Sequence, residues 1–166
     1  MHAEAYEWVR LRATAEPVAV LDVGGRYING SPRDLFPNAD PYTVLDILPG
    51  DGVDIVADAA SWIPDREYDV VVCCEVFEHV EKWPAILRTI HGALRPGGAA
   101  ILTMAGPGRM QHSGVDGEHR LLDGEWYANV GPAELAAALA DAGFVRMIVD
   151  YQPGPGDTRA VAYRPV

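Results

Sequence analysis

Short runs rich in β-branched residues recur along this chain with helical or turn-forming segments between them, and that alternation limits the fold more than any single motif. Strands are expected at residues 18–23, 42–47, 53–56, 68–74, 99–104, 144–151 and 159–163. Helical patterns lie between several of them. In "WPAILRTIHGAL", Pro84 suits a helix start, Ile86, Leu87, Ile90 and Leu94 form one stripe, and "RPGG" reads as the stop. "GPAELAAALADAGF" repeats the logic with Pro132, then Leu135 and Leu139, then Gly143 as the closing cap. A further helix is expected near the start, in residues 3–13 of an N-terminal region 1–16.

Strands alternating with helices imply an α/β fold, a doubly wound and mostly parallel sheet with helices on both faces. Only "QPGPGDT" separates the last two strands, too little for a crossover helix, so these form an antiparallel pair near the C-terminus. With 166 residues, 49% of them hydrophobic, the chain builds one sizeable core, and a single domain over 1–166 is expected. Lys+Arg 13 against Asp+Glu 24 gives a net charge of −11, which disfavours a phosphate backbone, so nucleic acid is excluded as a partner. No apolar run approaches the roughly 18 residues of a membrane span and no signal-peptide core is present, so no membrane association and a cytoplasmic location are expected. Cys73 and Cys74 are adjacent within one strand, point to opposite faces and have no distant partner. They read as small buried residues.

In doubly wound sheets, ligands sit outside the carboxyl ends of the strands, where the winding reverses. The first strand ends in "VLDVGGRYINGS". Gly24 and Gly25 suit a sharp turn with close ligand approach, Asn29 and Gly30 suit a positive-φ turn, and Ser31 with Pro32 suits the start of a helix. Asp22 lies just before the glycines, where a nicotinamide-type GxGxxG turn has no special need for an acid; it suits a cationic amino group. The second strand ends at Asp46 and Ile47, about one strand-helix-strand repeat further on, where a carboxylate can accept from both hydroxyls of a ribose. Asp58 and Ala59 follow the third strand, an acid for an exocyclic amine beside a small residue that admits a flat base. Glu75, Glu78 and His79 collect after the fourth. For each of these acids, a solvated strand end or a capped turn is the structural alternative.

The long segment after the fifth strand, residues 105–131, exceeds an economical connection and leaves the sheet on its ligand side, so it is expected to be a substrate lid. It carries His112 and His119, which with His79 are the candidate catalytic bases, because imidazole has the ordinary pKa suited to proton transfer near neutrality. Trp126 and Tyr127 are candidates for the acceptor wall. His112, Asp116 and His119 lack the tight spacing of a metal site, and no metal is expected. His91, within a helix, reads as just partly exposed.

The motifs "LDVGG…NGS", "VLDI", "VADA", "YDVVVCCEVFEHV" and "LRPGGAAILT", in this order and spacing, resemble the class I S-adenosylmethionine-dependent methyltransferases over residues 18–163. The resemblance implies a seven-stranded sheet with one antiparallel strand and S-adenosyl-L-methionine as cofactor. It places Asp22, Gly24, Gly25 and Arg26 around the methionine part, Asp46 on the ribose, Asp58 near the adenine and Glu75 in the pocket. Arg26 and Ile28 depart from it, standing where the family often has glycine. The activity implied is methyl transfer to an oxygen or nitrogen atom of a small molecule. The alternatives are an inactive cofactor-binding partner subunit, a nicotinamide-dependent enzyme and a structural module. With little chain before the first strand to form a cap, the pocket is either open or completed by a second subunit, in a homodimer or with a partner chain.

Overall fold

The computed structural model describes residues 1–28 and 30–166. Seven strands form one sheet in the order β3-β2-β1-β4-β5-β7-β6. These are β1 (Val20–Val23), β2 (Tyr42–Asp46), β3 (Ile55–Val56), β4 (Tyr68–Cys74), β5 (Leu94–Ala105), β6 (Val145–Gln152) and β7 (Asp157–Tyr163). β1 pairs in parallel with both β2 and β4, with Asp22 opposite Val44 and Val72. β7 runs antiparallel to β5 and to β6, as the short link between the last two strands requires. The chain winds outward from β1 to β3 in one direction and from β4 to β5 in the other. The reversal opens a crevice beyond the carboxyl ends of β1 and β4.

Strand periodicity sorts the core onto two faces. Leu21, Val23, Val71, Cys73 and Leu102 meet helices α2 (Trp83–Ala93) and α3 (Pro132–Asp141) through Ile86, Leu87, Ile90, Leu135 and Leu139. Val20, Val70, Val72 and Ile101 meet Trp8 and Val9 of α1 (Ala3–Arg10) and Phe36. Full burial of a side chain such as Leu87 stabilises by about 1.5–3 kcal/mol relative to exposure. Cys73 and Cys74 fall on opposite faces, as alternation demands. Two guanidinium groups stack on Trp8, that of Arg12 3.0 Å and that of Arg159 4.6 Å from its ring centroid.

Beyond shifts of one or two residues at other strand ends, three regions differ from the sequence expectation. α1 ends at Arg10, and Arg12 folds back to donate to the Trp8 carbonyl at 2.9 Å. After the glycine loop, the expected helix is a single 3₁₀ turn, Arg33–Leu35. Pro32, not Ser31, takes the N-cap place; the Ser31 hydroxyl accepts from the Arg33 amide at 3.1 Å in a local turn, and Pro37 and Pro41 follow too closely for a helix to continue. Gly30 has the expected positive φ of 105°, whereas Asn29 lies outside the described residues. Lastly, β5 starts at Leu94 rather than near 99: α2 ends at Ala93, so Leu94, expected on the helix stripe, is the first residue of a strand that includes "RPGG" and whose register with β4 shifts between Tyr68 and Val70.

Candidate active site

A turn beyond β1 requires glycine for reasons internal to the protein. Gly24 adopts φ 73°, and a Cβ there would stand 2.2 Å from Cγ2 of Val76. At Gly25 a Cβ would stand 2.5 Å from Cγ of Asp22. The sequence suggested ligand approach at these glycines; the structure shows that Val76 and the Asp22 carboxyl already use the space. Asp22 is 2% exposed and accepts from the Tyr42 hydroxyl at 2.9 Å. Burial pushes its pKa up to about 6, with the Tyr42 hydrogen bond opposing.

Arg26 links this turn to two neighbours. Its backbone N–H donates to Oδ2 of Asp46 at 3.1 Å, and its guanidinium donates to the carbonyls of Val115 at 3.1 Å and Gly114 at 3.4 Å. The other Asp46 oxygen accepts from the Leu48 amide at 2.9 Å. Asp46 therefore organises the ends of β1 and β2 by itself. Ile47 is exposed. Asp58 closes a turn, its side chain accepting from the Ala60 amide at 2.8 Å, while Ala59 packs at the edge of the core.

Glu75 ends β4 with the unusual φ of 58°. Its carboxylate accepts from Thr103 Oγ1 at 3.1 Å and Arg109 at 3.2 Å, and His2 Nε2 lies 3.5 Å away. Burial pushes this carboxyl up, but the His2 hydrogen bond and the Arg109 charge outweigh it and hold the pKa below the usual value. Arg109 also pairs with the fully buried Asp157 at the start of β7, whose other oxygen is 3.2 Å from His2 Nε2. Bonding to Asp157, then to Glu75, raises His2 to about 10, so it is an imidazolium near neutral pH. Its 3.1 Å approach to Arg109 Nη1 is thus a contact of two cations with carboxylates beside them. Sequence reasoning missed His2, Arg109 and Asp157, which are far apart in the chain and share no motif.

The segment after β5 folds back over this crevice. Its Glu125 gathers it, accepting from Ser113 Oγ and the Gly114 amide at 2.9 Å each and from the Leu122 amide at 2.6 Å. His112 is thereby brought edge-on to His79, ring centroids 4.9 Å apart, with Tyr127 at 5.4 Å from His79 and 5.2 Å from His112. Burial, then the neighbouring His112, pushes His79 down to about 4. Glu78 is fully buried, which raises its carboxyl well above the usual range. His119 is exposed at the rim.

A cavity of about 590 Å³ joins these parts. Asp22, Gly24, Gly25, Arg26 and Glu75 line one part of it, and His79, His112 and His119 another. Asp46, Ile47, Asp58 and Ala59 stand outside that lining, and so do Trp126, 45% exposed, and Tyr127. His91, half-buried, packs against Phe144 with ring centroids 5.1 Å apart. Among the described residues, no helix is long and apolar enough to cross a membrane.

A family model described as a methyltransferase domain matches residues 9–147. No curated protein matches the sequence. Solved structures similar to this chain include the DhpI–SAH complex, 25% identical with a TM-score of 0.70, covering 98% of this chain and 83% of that one. N-methyltransferase NodS from Bradyrhizobium japonicum is 15% identical, with a TM-score of 0.67 and coverage of 98% and 86%. The CurJ carbon methyltransferase is 16% identical, with a TM-score of 0.65, covering 92% of this chain but 50% of its own. The strand order, the crevice at the reversal point and the match over most of the chain agree, and the chain belongs to the methyltransferase-domain family, as a class I S-adenosylmethionine-dependent methyltransferase.

Proposed function

We propose that this protein transfers a methyl group to an oxygen or nitrogen atom of a small molecule held beneath the 105–131 segment, which acts as a lid. The observation that carries the reading is the shared cavity, of a size usual for small-ligand sites, which the glycine turn, Glu75 and three imidazoles line together. A small acceptor also accords with DhpI, solved with SAM and HEP, and a nitrogen acceptor with the N-methyltransferase NodS.

The residues fit the cofactor. Asp22 and Glu75 offer carboxylates to its positively charged groups, Arg109 offers a guanidinium to its carboxylate, and the turn at Gly24–Gly25 presents backbone without side chains. We assign Asp46 with Ile47 to the ribose and Asp58 with Ala59 to the adenine. Asp46 must then share or exchange its present bonds from Arg26 and Leu48. When bound, the cofactor supplies an electrophilic methyl on a sulfonium. The chain's own work is to orient the acceptor, exclude water with the lid and take a proton. His119, exposed and part of the cavity lining, is the proposed proton acceptor.

The test is incubation of the protein with isotope-labelled S-adenosylmethionine and a metabolite extract, followed by mass spectrometry. A product labelled only when protein and cofactor are both present supports the reading. Cofactor binding without any labelled product, across extracts of varied origin, overturns it in favour of a non-catalytic subunit.

A further inference from the structure

We propose that Glu78, His79 and His112 form a binding site for one divalent transition-metal ion. One ligand atom of each lies within 4.8 Å of the others. Donors sharing an ion at bonds of about 2.0–2.2 Å stand roughly 3–4 Å apart, so small side-chain rotations close the set. Two unpartnered atoms point to such an occupant. Glu78 is fully buried, and while its Oε1 accepts from the Ala105 amide at 3.1 Å, its Oε2 has no hydrogen-bond partner. His79 Nδ1 is also buried without a partner. Polar atoms left so are rare, because burial without a bond is costly. A cation coordinated by them removes that cost.

The donor set selects the ion. Two imidazoles and one carboxylate suit Zn²⁺, Co²⁺ or Ni²⁺, whereas Mg²⁺ and Ca²⁺ favour all-oxygen shells. Three protein ligands leave coordination positions free. Both histidines line the cavity, so a free position opens toward the acceptor side. That a bound ion would hold an acceptor heteroatom rests on the methyl-transfer reading; metal binding itself does not. The other histidine–carboxylate group, His2 with Glu75 and Asp157, is different in kind, because the Arg109 guanidinium already occupies it and repels a cation.

Chelator-treated protein, without cofactor, is titrated with ZnCl₂ by calorimetry and with CoCl₂ by visible absorption. One ion per chain is expected, with ligand-field bands of a four- or five-coordinate site. His112→Ala and Glu78→Gln are each expected to weaken binding at least ten-fold, and His2→Ala to leave it unchanged. The Glu78→Gln substitution retains a side-chain oxygen for the Ala105 amide; should that variant melt early, His112→Ala on the lid remains decisive. Absence of Zn²⁺ and Co²⁺ binding, wild-type affinity in His112→Ala, or loss of binding in His2→Ala overturns the proposal. Metal binding by a protein that transfers no methyl group leaves it standing and counts only against the proposed function.

Discussion

A carboxyl group as buried as that of Asp22 is costly to ionise inside a strand, and the Tyr42 hydroxyl offsets only part of the cost. Its folded pKa of about 6 lies above the ordinary 3.8. The stability it contributes is therefore fully present below about pH 3.8 and lost as pH rises through 6, a swing on the order of 3 kcal/mol. Asp22→Asn keeps the shape and an acceptor for Tyr42 without the charge. We expect this variant to melt higher than the wild type at pH 7.5, with the gain shrinking toward pH 4, and to bind S-adenosylmethionine more weakly. An equal change in Tm at both pH values contradicts the burial argument. Gly25→Ala separates two reasons for the glycine. If the Cβ conflicts with Asp22, as the 2.5 Å separation implies, the cofactor-free protein itself loses about 1–3 kcal/mol. If only ligand approach required glycine, cofactor-free stability is unchanged and affinity alone falls. The residues of this turn were legible from their types and place, but not their contacts with one another.

Elements meet at the His2 cluster, where the residue preceding α1 touches the ends of β4 and β7 and the root of the lid. His2 is raised from 6.5 to about 10, so its stabilising contribution is complete below 6.5 and disappears as pH rises through 10. Melting curves of the wild type and His2→Gln are expected to differ at pH 6.5–7 and to converge by pH 10.5. A difference that does not depend on pH shows packing rather than charge at this position. The strands were readable because period-two alternation depends on local sequence alone: β2 and β4 fall where expected, within a residue. The helix expected after Ser31 failed because Pro37 and Pro41 leave room for one turn only, and Ser31 bonds the Arg33 amide locally rather than as the N-cap. β5 began early because "RPGG" ends a helix without preventing a strand.

Across the whole molecule, the winding reversal decides which strand ends meet, and this was legible once alternation had implied a doubly wound sheet. It gathers Asp22 and Glu75 at one cavity, whereas Asp46 and Asp58 remain just outside its lining. What no spacing could show is how the segment after β5, the proposed lid, is held on the body. Its ends are pinned by backbone bonds, from the Gly106 amide to the Gly156 carbonyl at 2.8 Å and from the Val130 amide to the Ala105 carbonyl at 2.9 Å. Between those ends, Arg26 reaches from the glycine turn to the carbonyls of Gly114 and Val115, in a position where a glycine could make no such bond. Arg26→Gly should therefore free the middle of the lid while its ends stay fixed. Hydrogen exchange followed by mass spectrometry is expected to accelerate in residues 111–119 and to remain unchanged in 128–131 and in β1, β4 and β5, because local opening follows the loss of local bonds. Affinity for the acceptor should fall as the closed lid becomes less populated. Unchanged exchange in 111–119 would show that Glu125 and the packing of His112 on His79 hold the lid without Arg26, and acceleration throughout the sheet would show that Arg26 supports the fold rather than the lid.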